Sequence, residues 1–151
     1  MVLTRCRDGV VGLMETTTRK DVLIVDDDLG IRRLLSVAMR RGGLTCDAAS
    51  DGFEALECVG STHYRVILTD LMMPRLDGWG FIRELAKIEA VSVDRPVVLV
   101  MTAAAERGMQ SVEEDAVQAI IPKPFDVKAL RNLVQSCVKS RRQRETALEA
   151  N

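Results

Sequence analysis

Apolar and polar positions alternate along this chain in blocks, and the blocks come in a fixed order. Val22-Leu23-Ile24-Val25 is a short, continuous β-branched and aliphatic run, the signature of a strand buried on both faces. It stops at Asp26-Asp27-Asp28. Ile31, Leu34, Leu35, Ala38 and Met39 then follow the i, i+3, i+4, i+7, i+8 spacing of an amphipathic helix, and Gly42-Gly43 ends it. Leu44 to Ala49 reads as a second strand. Ser50 or Asp51 can cap a helix carrying Phe53, Leu56 and Val59. Val66-Ile67-Leu68 is a third strand, running into Thr69-Asp70. After a loop with Pro74 and Gly78, Asp77 can cap a helix with Phe81, Ile82, Leu85 and Ile88. Val97 to Met101 is the fourth strand, and a weakly patterned fourth helix falls within 105–118. Ala119-Ile120-Ile121 is a short fifth strand, followed by Pro122-Lys123-Pro124. Asp126 can cap a last helix with Leu130, Leu133, Val134, Cys137 and Val138.

Five strands in strict alternation with helices predict an α/β fold, a parallel sheet covered by helices on both faces. Residues 1–19 show no sustained periodicity and are expected to form a disordered extension; Met14 is an alternative start. The folded domain is expected over 20–140, with a basic and polar tail at 141–151.

Ligands of such sheets bind at the carboxyl ends of the strands. Asp26, Asp27 and Asp28 follow the first strand, Asp70 the third, Thr102 the fourth and Lys123 the fifth. At least three carboxylates, a hydroxyl and an ammonium therefore converge on one edge. Each is ordinary alone: an acidic run is commonly a solvated turn, and Thr102 could be a helix cap. Together they change the reading. Clustered carboxylates repel one another and favour a bound cation. Mg²⁺ takes one or two carboxylates, several waters and phosphate oxygens, and Mn²⁺ is similar enough to substitute. Lys123 can meet a phosphoryl oxygen as a point charge, Thr102 can donate a hydrogen bond, and one carboxylate can act as nucleophile. That is the equipment of phosphoryl transfer.

Composition mainly excludes. The chain has 151 residues, the size of one domain, with 47% hydrophobic and 28% charged residues. Its net charge of −1 gives no overall attraction to nucleic acid or membrane. No run approaches the ~20 apolar residues of a membrane span. The four cysteines, Cys6, Cys46, Cys58 and Cys137, form no CxxC pair, and His63 is the sole histidine. Zinc and a disulfide framework are therefore not indicated, and reduced thiols fit a cytoplasmic protein.

The chain resembles the receiver domains of bacterial response regulators over about residues 20–140. The resemblance rests on Val25-Asp26-Asp27-Asp28, on Asp70-Leu71-Met72-Met73-Pro74-Arg75-Leu76-Asp77-Gly78, on Thr102-Ala103 and on Lys123-Pro124-Phe125. It implies a flavodoxin-like five-stranded sheet of order 2-1-3-4-5 with five flanking helices. Asp70 would accept a phosphoryl group from a sensor histidine kinase or histidine phosphotransfer protein, a Mg²⁺-dependent self-modification and not turnover of a substrate. The metal would be held by Asp27, Asp70 and the Met72 backbone carbonyl, with Asp26 acting through a water. Thr102 and Lys123 would hold phosphoryl oxygens, Asp28 would start a helix, and the Lys123–Pro124 bond would be cis. An unidentified downstream protein would read the phosphorylated state, and a homodimer could form through the fourth and fifth helices.

The chain also departs from the family pattern in places. Ile120 occupies the position of the aromatic switch residue and cannot signal by ring rotation. Glu114-Asp115-Ala116-Val117 replaces the usual small-residue turn before the last strand. Met72 stands where a small polar residue is common, and its side chain would overhang the site. Nothing after the last helix resembles an output domain, which leaves a stand-alone receiver or part of a longer regulator. The alternative is a receiver-like adaptor that is never phosphorylated. A haloacid-dehalogenase-like phosphatase lacks its Asp-x-Asp motif at Asp70-Leu71-Met72. The cluster Lys139, Arg141, Arg142 and Arg144 reads first as a solvated helix end and only then as a nucleic-acid contact.

Overall fold

The computed structural model describes residues 2–5, 11–14, 18–89, 94–103 and 116–150. Two short strands, β1 (Val2–Arg5) and β2 (Val11–Met14), pair antiparallel. The stretch read as a disordered extension thus carries a two-stranded ribbon, a motif with little stability of its own.

The main sheet holds β3 (Thr18–Val25), β4 (Cys46–Ala49), β5 (Thr62–Asp70), β6 (Val97–Thr102) and β7 (Ala119–Pro122). Its order is β4-β3-β5-β6-β7, with every pair parallel. Counted within this sheet, that is the expected 2-1-3-4-5 order. The described helices are α1 (Leu29–Arg41), α2 (Gly52–Ser61), α3 (Gly78–Glu89) and α4 (Val127–Glu149). The fourth helix expected from sequence, within 105–118, falls largely outside the described residues.

Successive side chains of a strand point to opposite faces, and β3 shows the result. Val22 and Ile24 pack with Leu35 and Met39 of α1 and with Leu130, Val134 and Val138 of α4. Leu23 and Val25 pack on the other face with Ala55 of α2 and Phe81, Ile82 and Leu85 of α3. Both faces are covered, which is why the strands read as unbroken apolar runs.

Helix starts follow capping chemistry. Asp28, Asp51 and Asp126 accept the backbone N–H groups of Ile31, Glu54 and Ala129, at 3.1, 2.9 and 2.8 Å. Some expected core positions face water instead. Leu34, Phe53 and Ile88 are 51%, 48% and 54% exposed, and Ala55 takes the buried place in α2. Cys46 is buried, whereas Cys58 and Cys137 are half-buried; all three are free thiols.

The last helix runs through the residues expected to be a tail. Residues 139–149 are mostly good helix formers, and they are tied to the amino-terminal ends of the strands. Arg142 donates to both Asp21 carboxylate oxygens at 2.8 Å, and Arg65 bridges Asp21 (3.0 Å) and Glu145 (2.8 Å). No described helix is long and apolar enough to cross a membrane.

Candidate functional site

Register places the chemistry. Val25 is aligned with both Ala49 and Thr69, Asp70 with Met101, and Thr102 with Pro122. The residues that follow β3, end β5 and β6, and follow β7 therefore share one edge of the sheet.

Asp26 is fully buried and Asp70 nearly so, while Asp27 is exposed. Their carboxylates can each turn one oxygen to within 4.8 Å of the others, a grouping able to hold a cation. Lys123 reaches in from the loop after β7. Its ammonium donates to Asp26 Oδ2 at 2.9 Å and to Asp70 Oδ2 at 3.2 Å. The Lys123 backbone N–H donates to the Thr102 carbonyl at 2.9 Å. Thr102 is buried at the end of β6, and the Lys123–Pro124 peptide bond is cis.

The remaining contacts orient these groups. Asp26 Oδ1 accepts the Asp28 backbone N–H at 2.9 Å, and Arg32 donates to the Asp26 carbonyl at 2.7 Å. Asp28 caps α1, so it stands beside the cluster without joining it. Met72 follows Asp70 by two residues; its side chain is 72% exposed, and its N–H lies 3.4 Å from Asp70 Oδ1.

Burial, and then the like charge of Asp26, push the Asp70 carboxyl above its ordinary range despite the pull of Lys123. Burial acts downward on the Lys123 ammonium, but its bonds and attraction to Asp26 and then Asp70 raise it overall. The site is thus short of positive charge. Three carboxylates facing one ammonium leave two negative charges, which suits a divalent cation bound by hard oxygen donors.

A second trio, His63, Asp94 and Glu145, also lies close enough to bind a metal. Its carboxylates already have organic cations, Arg19 and Arg65 on Glu145, and Arg19 and Arg141 on Asp94. It is an ion-pair cluster.

Asp26, Asp27, Asp70, Thr102 and Lys123 all sit at the strand-end edge where the sequence puts them. Ile120 is half-buried, aligned with Val100 and packed against the core around Phe81. Sequence reasoning made Asp51 a candidate helix cap, which it is, but assigned no role to Arg75 and did not foresee that the two pair. They pair next to the loop that follows Asp70, in a contact 24 residues apart that leaves no local pattern.

A family model for the response regulator receiver domain matches residues 22–135. The response regulator MprA of Mycobacterium ulcerans is 37% identical over 114 residues, covering 72% of this chain and 46% of its own length. The probable transcriptional regulator ycf27 of Cyanophora paradoxa is 32% identical over 121 residues, covering 80% of this chain and 49% of its own. The chain therefore spans about half the length of these relatives. Among solved structures, a CheY-like receiver domain protein from Methanospirillum hungatei superposes with a TM-score of 0.73 at 26% identity, covering 82% of this chain and 97% of that one. The response regulator TrrA of Thermotoga maritima, solved in complex with Mg(2+)-BeF, gives a TM-score of 0.65 at 26% identity, covering 80% and 98%.

Proposed function

The chain belongs to the response regulator receiver domain family, and on that premise we propose that it accepts a phosphoryl group on Asp70 and thereby switches the binding of a partner protein. One observation carries this reading: Asp70 is a buried, electrostatically strained carboxylate held beside Asp26, Asp27 and the Lys123 ammonium. The donor is a phosphohistidine on a sensor kinase or phosphotransfer protein. An Asp70 oxygen bonds to phosphorus as the phosphorus–nitrogen bond to histidine breaks, and the electron pair leaves with the imidazole.

Asp27, Asp70 and the Met72 carbonyl would hold Mg²⁺, with Asp26 acting through a water. Bound there, the metal would neutralise charge on the phosphoryl oxygens. TrrA was solved with Mg(2+)-BeF, which supports carrying that chemistry to a related chain. Lys123 is already poised on Asp70 and can transfer its ammonium to a phosphoryl oxygen. Thr102 ends the neighbouring strand and supplies the hydroxyl. The reaction modifies the chain itself, once per molecule. A cytoplasmic location follows from a kinase donor of this kind.

The test is phosphorylation by acetyl phosphate, and then by sensor kinases, with Mg²⁺ or EDTA, read by intact mass. One added phosphoryl group is expected, dependent on Mg²⁺ and absent from Asp70→Asn. Equal labelling of Asp70→Asn would overturn the assignment.

A further inference from the structure

Arg75 has a backbone no other non-glycine residue shares among those described: its φ is +67°. That left-handed conformation is disfavoured for an L-residue, so neighbouring contacts must hold it. The Arg75 Nε–H donates to Asp51 Oδ2 at 2.7 Å, and a terminal N–H of the same guanidinium bonds the same oxygen. The guanidinium carbon lies 5.5 Å from the centre of the Phe53 ring, within cation–π range. The Asp51 side chain is only 7% exposed, and its other oxygen caps α2. The next loop residue, Leu76, accepts the Gly52 N–H at 3.1 Å. A Cβ on Gly52 would come within 2.7 Å of that carbonyl oxygen, so only glycine allows the approach.

Two consecutive loop residues, Arg75 and Leu76, are therefore fastened to three consecutive residues at the head of α2. The base of the same loop is closed by the Gly78 N–H donating to the Leu71 carbonyl at 3.0 Å. Met72 lies between these two anchors. Its side chain points to solvent, and its N–H makes only a long contact to Asp70. The position of its carbonyl is thus set by the anchors on either side.

We propose that Arg75 is a positioning residue for divalent-cation binding, its clamp onto Asp51 and Phe53 holding the 71–77 loop so that the Met72 carbonyl stays beside Asp70. The inference rests on the phosphoacceptor reading and adds a determinant outside the acidic cluster. Arg75 touches no reacting atom; it acts through the loop.

Mg²⁺ titration of the whole chain by calorimetry tests it, with thermal melting in EDTA as a second readout. Arg75→Gly removes the side chain while making the left-handed backbone cheap. Asp51→Asn keeps a good helix cap but removes the anionic half of the clamp. Each is expected to weaken Mg²⁺ binding by about tenfold, the scale typical of outer-shell partners. The double variant should be no worse than either single one, because both break one interaction. Arg75→Lys, with a point charge but no fork, should recover only part. Mg²⁺ affinity of Arg75→Gly within about twofold of the parent, whatever its melting temperature, would overturn the clamp. Absence of binding to the parent and to Asp27→Asn alike would instead overturn the metal-site reading, and the clamp with it.

Discussion

Asp70→Asn should make the metal-free protein more stable and the Mg²⁺-loaded protein less stable than the parent. In the metal-free site Asp70 is buried and faces Asp26 and Asp27, with carboxylate oxygens within 4.8 Å of one another. Like charges at that separation repel by about 3.5 kcal/mol at an effective dielectric constant of 20. Lys123, 3.2 Å from Asp70, returns about 5 kcal/mol on the same scale. It keeps its shorter 2.9 Å bond to Asp26 when Asp70 becomes an amide. Burial first, and then repulsion from Asp26, outweigh the attraction. That agrees with the raised Asp70 carboxyl. The amide should therefore gain about 1–2 kcal/mol, or roughly 3–6 °C in Tm for a chain of this size.

The pH dependence has a definite sign. A carboxyl whose folded pKa is raised contributes its full stability below the unfolded value, about 3.9, and loses it as pH rises through the folded value. The advantage of Asp70→Asn should be absent near pH 3.5 and open as pH rises. Saturating Mg²⁺ reverses the order. At 100 times its dissociation constant a ligand stabilises by about 2.7 kcal/mol, a gain the variant largely forgoes. Urea denaturation followed by the single tryptophan, Trp79, in EDTA and in Mg²⁺, reads both halves. A metal-free Asp70→Asn less stable than the parent at pH 7, or equal Mg²⁺ stabilisation of both, would refute the reasoning.

Asp21→Asn should act oppositely. Burial alone would raise Asp21, but its bonds from Thr45 and Arg142 hold it below the ordinary range, so its stabilisation is present above about pH 4 and lost below. The cost should be about 3 kcal/mol at pH 7 and should shrink at pH 3, as urea midpoints will show. Gly78→Ala places a Cβ 2.2 Å from the Asp70 carbonyl oxygen and 2.7 Å from Leu71 Cα. Both neighbours are backbone, so a loss of about 2–3 kcal/mol in urea unfolding is expected, together with slower acetyl phosphate labelling. Met72→Asn removes the exposed overhang beside Asp70. It should shorten the phosphoryl half-life about threefold, a barrier change near 0.7 kcal/mol; equal half-lives would show that the overhang does not limit water.

The legible part of this fold was the local part. Buried parallel strands announce themselves as unbroken runs such as Val22–Val25 and Val66–Leu68, and the residues after each run are read directly from the chain. The strand-end cluster was therefore visible in the sequence itself. Helix faces were read less well, because apolar residues such as Leu34 and Phe53 fit the periodicity yet lie on its exposed margin. Arg75 was invisible for another reason. Nothing in Pro74-Arg75-Leu76 signals a left-handed residue, a role ordinarily given to glycine. The continuation of α4 was missed because its partners, Asp21 and Arg65, lie far back in the sequence. Beside Lys139 and Arg141, Arg142 looks like any solvated basic residue.

The two ends of the sheet show what separates a reactive buried carboxylate from a structural one. At the amino-terminal ends of the strands, Asp21, Asp94 and Glu145 meet four guanidinium groups, those of Arg19, Arg65, Arg141 and Arg142. Each carboxylate there has its counter-charge supplied by the chain, and Asp21 is held ionised. At the carboxyl ends, Asp26 and Asp70 share the ammonium of Lys123 with Asp27 grouped beside them, and Asp70 is pushed toward its neutral form. Burial is comparable, with Asp21 at 1% and Asp70 at 6% exposure, so burial does not decide the outcome. The number of fixed cations within reach does. A chain that supplies every counter-charge leaves no demand for an ion from solution. One that withholds two builds a demand for a divalent cation, and for chemistry that such a cation supports.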